Sequence, residues 1–187
     1  MDAAFARVCQ FHEVDFPAEE VPTPDSALAW RSLDNFWAAV TALLPGEIDP
    51  QTTCGVQQRL LELRGRLRVA DRSRPVVLAE ILSRWESEPK ITQKWWSNDP
   101  KAKKAVSEGV ARVVSEFRGE AVLPFLSTWR AHVYGLALKV LLGGREYAAE
   151  VRRRSVTLNY GDLLQVAAQL LRENLEVRAA LQQKYRW

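Results

Sequence analysis

The side chains in this sequence with most capacity for chemistry are cations set beside aromatic rings. The stretch KITQKWWSNDPKAKK, residues 90–104, places Lys90, Lys94, Lys101, Lys103 and Lys104 around Trp95 and Trp96, next to a helix start at Asp99-Pro100. Lysines neutralise phosphates, exposed indoles stack on bases, and the free amides of a helix start favour an anion. A competing reading packs both tryptophans in the core under a bend and leaves the lysines solvated. Adjacent helical residues point about 100° apart, so at least one of the two indoles is expected inside.

A second basic run, LRGRLRVADRSR at 63–74, carries Arg64, Arg66, Arg68, Arg72 and Arg74, with Arg59 just before it. On a helix Arg64 and Arg68 share a face, with Arg66 to one side. The guanidinium fork suits bidentate contact with phosphate. The alternative is a solubilising face, some of whose arginines pair with the acidic N-terminal part. Arg152, Arg153 and Arg154 end a helix, where cations complement the dipole, and are read as structural.

Catalytic patterns are missing. The sequence holds no G-x-x-x-x-G-K-[ST] loop, no Gly-x-Ser-x-Gly elbow, no His-Glu-x-x-His and no acidic cluster spaced for magnesium. Glu86 with Glu88, and Glu146 with Glu150, read as solvated helix faces. Cys9 and Cys54 lack Cys-x-x-Cys spacing, and His12 and His132 stand far apart, so buried inert thiols and ordinary histidines are expected rather than metal ligands. The expectation is no catalytic residue, no metal and no cofactor in this chain.

The composition, 47% hydrophobic and 26% charged, suits a soluble globular protein. No apolar run approaches the roughly 18 residues of a membrane span, and the N-terminus lacks the order of a signal peptide. A cytoplasmic protein without membrane association is expected. The net charge of +3 conceals an asymmetry: residues 1–50 carry two basic and nine acidic residues, and residues 51–187 carry 24 basic and 14 acidic. A segment with ten excess positive charges points to an anionic partner, nucleic acid first.

The elements that must position these residues all read as helices. Asp25 or Ser26 caps a segment with Leu28, Leu33, Phe36, Trp37, Val40 and Leu44 at helical spacing, closed by Pro45-Gly46. Asp49-Pro50 opens another with Val56, Leu60, Leu61, Leu63 and Leu67. Pro75 starts a short helix through Trp85, and Asn98-Asp99-Pro100 caps one running to about Phe117. Residues 119–154 form the longest stretch, with Val122, Phe125, Leu126, Trp129, Val133, Leu136, Val140 and Leu141 on one broad face. Gly143-Gly144 is expected to kink or break it. Asn159 with Asp162 is spaced as a capping box, and Asn174 caps a last helix. The fold class is all-α: a multi-helix accessory domain with one long helix and a C-terminal two-helix segment.

That C-terminal stretch carries a resemblance. LNYGDLLQVAAQLLRENLEVRAALQQKYRW, residues 158–187, resembles the segment of UvrD/Rep-type superfamily 1 DNA helicases, including RecB- and AddA-like helicase-nucleases, that leads into their Walker B strand. Leu158, Asn159, Tyr160, Asp162, Leu163 and Leu164 fit the family's [LV]-[DN]-F-x-D-L-L phrase, with Gly161 where the family often has an acidic or polar residue. Asn174, Val177, Arg178, Leu181, Tyr185 and Arg186 fit N-x-x-[VI]-R-x-x-L-x-x-x-[FY]-[RK]. The resemblance covers residues 121–187 and does not extend to DNA-contact residues.

The resemblance implies a helical insertion, usually called 1B, at residues 1–154, and a two-helix return into ATPase domain 1A at 155–187. Walker A and Walker B, which would hold ATP and magnesium in the parent helicase, lie outside the sequence, so the chain alone is expected not to be an enzyme. The expected function is to engage the DNA backbone near a fork during ATP-driven unwinding in repair or recombination. The remaining helicase lobes are the second expected partner. The rival is a structural domain whose basic face docks an acidic partner or the rest of the parent chain. Without those lobes, the apolar face of residues 155–187 is expected to fold back or support a dimer.

Overall fold

Helix starts follow the local capping chemistry. Asp25 Oδ1 accepts from the amides of Ala27 at 2.9 Å and Leu28 at 3.3 Å, opening the helix Ser26–Thr41. Asn174 Oδ1 accepts from Val177 N at 3.3 Å and opens Leu175–Lys184. Pro75 begins Pro75–Ser83, where its fixed φ suits the first turn and its missing N–H costs nothing.

The computed structural model describes residues 2–10, 16, 21–155 and 160–185. Its helices in chain order are α1 (Asp2–Gln10), α2 (Ser26–Thr41), α3 (Gly55–Leu67), α4 (Pro75–Ser83), α5 (Lys103–Phe117), α6 (Leu123–Arg154), α7 (Tyr160–Glu173) and α8 (Leu175–Lys184). A 3-10 turn spans Gln93–Trp95, and a π turn at Arg118–Val122 joins α5 to α6 in one helical run of 52 residues. Among the described residues the protein is all-α, with one long helix and a C-terminal helix pair.

The chain divides into two packing units: a central one, residues 20–133, and a terminal one, residues 1–19 with 134–187. In the central unit α2 packs against α4, α5 and the π turn. Phe36 stacks on Phe117 with ring centroids 4.1 Å apart, and Trp85 meets Phe36 edge-on at 4.8 Å. Leu33, Val40, Val56, Leu60, Leu78, Leu82 and Val110 close fully around this trio. Such aromatic contacts add stabilisation beyond the burial of area.

In the terminal unit the buried apolar residues include Val8 of α1 and Leu138 of α6. Gly144 admits α1: a Cβ there would sit 3.2 Å from Phe5 Cε2. Asp162, on α7, receives the Arg152 guanidinium at 2.9 and 3.0 Å.

Several expectations are corrected. Gly143-Gly144 does not break α6, which continues through both glycines. The broad apolar face expected over 119–154 is buried only at its start, at Val122 of the π turn and Phe125 and Leu126 of α6, with Trp129 half-buried. Val133, Leu136 and Val140 are exposed, and the side buried in the terminal unit is the opposite one, at Leu138. Periodicity defines a stripe but not which neighbour covers it. α5 starts at Lys103 rather than at Pro100, because Asp99 closes a turn by accepting Lys101 N on its side chain and Ala102 N and Lys103 N on its carbonyl. Glu86 is no merely solvated carboxylate: it holds Arg130 of α6 at 2.7 and 2.6 Å. Cys9 is half-buried rather than buried. The proposed cap Asn159 lies outside the described residues.

Candidate nucleic-acid interface

The lysine-tryptophan stretch begins against the start of α3. Gly55 N donates to Lys90 O at 2.9 Å, a close approach that a side chain would push apart by a few tenths of an ångström, since a Cβ at position 55 would sit 3.0 Å from that oxygen. Cys54, fully buried, receives Trp96 Nε1–H on its sulfur at 3.3 Å. Gln57, also buried, donates to the Trp95 carbonyl at 2.8 Å and accepts from Thr52 Oγ1 at 2.8 Å. These contacts fix the 3-10 turn on the N-terminal end of α3.

The two indoles therefore separate. Trp96 is 1% exposed and presents no face to a base, which removes it from the expected stacking residues. Trp95 is half-buried; it donates to Thr53 Oγ1 at 3.1 Å, and Lys94 Nζ lies 5.0 Å from its ring centroid. The ring face is thus already engaged by a cation of its own chain. Lys94 and Trp95 line an open cleft of about 240 Å³ shared with Glu47, Asp49 and Asn98. The two carboxylates make that cleft a poor place for phosphate.

Lys101 and Lys104 are exposed and Lys103 half-buried around the first turn of α5. Lys104 approaches Glu108 one turn on, at 3.9 Å, a surface pair of small energetic weight. Cations at a helix N-terminus oppose the dipole, so the three lysines add to a positive field rather than neutralise one.

The arginine run divides as well. Arg72 leaves it: its guanidinium binds both oxygens of Asp34 at 2.8 Å and lies 4.9 Å from the Trp30 ring centroid. That hydrogen-bonded pairing raises the Arg72 pKa above its ordinary value. Here the acidic lead segment does cover a predicted phosphate ligand. Arg64, Arg68 and Arg74 are exposed, and Arg66 is half-buried.

What the run did not reveal is where Arg66 points. Arg59, Arg66 and Arg84 line a narrow cleft between α3 and the end of α4, with Trp85 beneath. Arg59 and Arg84 continue with Lys90 into a wider groove of about 410 Å³, which also holds Gln58, Ser83 and Ser87. Two adjoining clefts that share Arg59, Glu62 and Arg84 thus hold four cations and two carboxylates, Glu62 and Glu88.

Arg59 is held rigidly, donating to Ser87 O at 2.6 Å and Ser87 Oγ at 2.9 Å, with its guanidinium 5.9 Å from the Trp85 ring centroid. Burial pulls its pKa below the ordinary arginine value, and the Glu62 charge offsets part of that. The side chains of Arg66, Arg84 and Lys90 make no hydrogen bond or ion pair with the described residues. Sequence reading did not single out Arg84, which follows the end of α4 as an isolated cation outside any basic run.

Of the residues placed by resemblance, Tyr160, Leu163 and Tyr185 are exposed, as is Arg178, while Asp162 is buried in its pair with Arg152. No cluster of His, Cys, Asp and Glu suited to a metal ion occurs among the described residues. No described helix is long and apolar enough to cross a membrane. Comparison with family models, with curated proteins and with solved structures finds no match.

Proposed function

We propose that this protein is a helical module that grips a nucleic-acid backbone, as an accessory part of an ATP-driven DNA helicase of the UvrD/Rep type. The observation that carries the grip is the groove between α3 and α4, where Arg59, Arg66, Arg84 and Lys90 converge and three of the four have no partner among the described residues. Cations brought together at this density attract phosphates and release counterions on binding. The lysines at the start of α5 and the exposed Arg64, Arg68 and Arg74 extend the positive surface outward. The resemblance at residues 158–187 supports the helicase context; ATP and magnesium would be handled by other lobes of such a machine, and the process served would be repair or recombination.

The test is a fluorescence-anisotropy titration of single-stranded, duplex and forked DNA across a salt series. Arg84→Ala with Lys90→Ala is expected to weaken binding irrespective of sequence and to reduce the salt slope by about 1 for each phosphate that is no longer neutralised. Equal binding by this variant and the unaltered protein would remove the groove from the interface. Absence of binding at low salt would favour the second reading, a protein-docking domain. One observation supports that reading: α7 leaves Leu163, Leu164, Val166 and Leu170 half or more exposed.

A further inference from the structure

The two adjacent glycines of α6 differ in what they face. Gly144 is occupied by Phe5 of α1, whereas a Cβ at Gly143 would meet no atom within 4 Å. Glycine inside a helix lowers its stability, and among the described residues nothing packs against position 143 to offset that. Gly143 sits in an apolar stripe formed by Leu136, Val140, Tyr147 and Val151, which are 51%, 67%, 73% and 45% exposed. These positions follow the helical period and lie on the side of α6 away from buried Leu138. Uncovered apolar stripes of this kind mark contact surfaces.

We infer that the stripe is a homodimer surface, on which α6 crosses α6 of a second copy in antiparallel orientation, with closest approach at Gly143. The stripe is its own complement. About a point between residues 143 and 144, Leu136 is the counterpart of Val151, and Val140 of Tyr147. A twofold axis through that point sets Leu136 on Val151 of the copy and Val140 on Tyr147, with the Cβ-free glycine where the backbones come nearest. This is the self-complementarity that an isologous interface requires.

The stripe rises about 22 Å along the helix, so the contact belongs to the small, reversible class of interfaces.

Sedimentation velocity on the full chain tests this over a range of about 1 to 200 µM, where contacts of this size form. The expected result is a monomer that shifts towards twice its mass as concentration rises, with Val140→Glu and Tyr147→Glu together lowering the association constant at least tenfold. Both sites are exposed, so the helical circular-dichroism signal should be unchanged. Register is read by mild oxidation in a Cys9→Ser background: Gly143→Cys should give an interchain disulfide, and Leu136→Cys should not. A monomer at every concentration overturns the proposal. So does a dimer that survives the α6 substitutions and dissolves with Leu163→Glu and Leu170→Glu, because its interface would then lie on α7.

Discussion

The two packing units follow opposite rules for apolar side chains. In the central unit an aromatic trio sits in one packed cluster of buried, mostly aliphatic residues. In the terminal unit Tyr147, Tyr160, Leu164, Leu170, Leu175 and Tyr185 are each half or more exposed, and α8 buries no residue. The helices are comparable in sequence: α7 is as amphipathic as any in the central unit, yet among its described side chains the buried one is the acidic Asp162. A helix can therefore form with its apolar face unused, when a specific polar contact rather than area holds it in place. The central unit has the composition of a finished core, and the terminal one that of a surface awaiting a partner.

Substitutions should separate the two regimes. The largest effect is expected at Trp85, 2% exposed and in contact with Phe36 and Phe117. Trp85→Ala should cost about 3–5 kcal/mol in urea unfolding, whereas Leu164→Ala should stay within about 0.5 kcal/mol. Equal costs would mean that the contrast between the units is false. Next comes Arg152→Ala, which takes the guanidinium from buried Asp162 and should loosen α7 by about 1–3 kcal/mol, read as faster amide hydrogen exchange confined to residues 160–173.

Smaller again is the glycine pair. Gly143→Ala should raise helix stability by about 1 kcal/mol at concentrations where the chain is monomeric. Gly144→Ala should gain less or lose, because its methyl meets Phe5. A reversed order would place α1 elsewhere.

The smallest effect is electrostatic. The hydrogen bonds from Arg130 hold the Glu86 carboxyl below its ordinary range. A depressed carboxyl contributes stability that is present above the unfolded value, about 4.3, and is lost as pH falls through the folded one. Thermal melting between about pH 6 and 3 should therefore show a slight acid loss that Glu86→Gln removes, and an unchanged pH profile in that variant would discount the pair.

The charge asymmetry of the sequence shows how linear reading and folding diverge. Along the chain the first 50 residues are acidic and the remainder basic. In space the central unit holds 16 basic and 14 acidic residues and the terminal unit 10 and nine, so neither keeps a large excess. Part of the cancellation is visible in the pair Arg72–Asp34. What survives is local: the groove of Arg59, Arg66, Arg84 and Lys90, drawn from segments about 30 residues apart in sequence.

The sequence by itself determined the helical class and the starts of three helices. Asp25, Pro75 and Asn174 act on amides or dihedrals within three residues, and a signal that short is written in the local residues. It also determined that Trp95 and Trp96 could not both face water. Only the tertiary structure decided which of them is buried, because that depends on Cys54, 42 residues away. The same holds for the release of Arg72 from the basic surface, the convergence of Arg84 on Arg59, and the side of α6 that is covered. Each is fixed by a partner distant in sequence, and helical periodicity carries the direction of a side chain without the identity of what it meets.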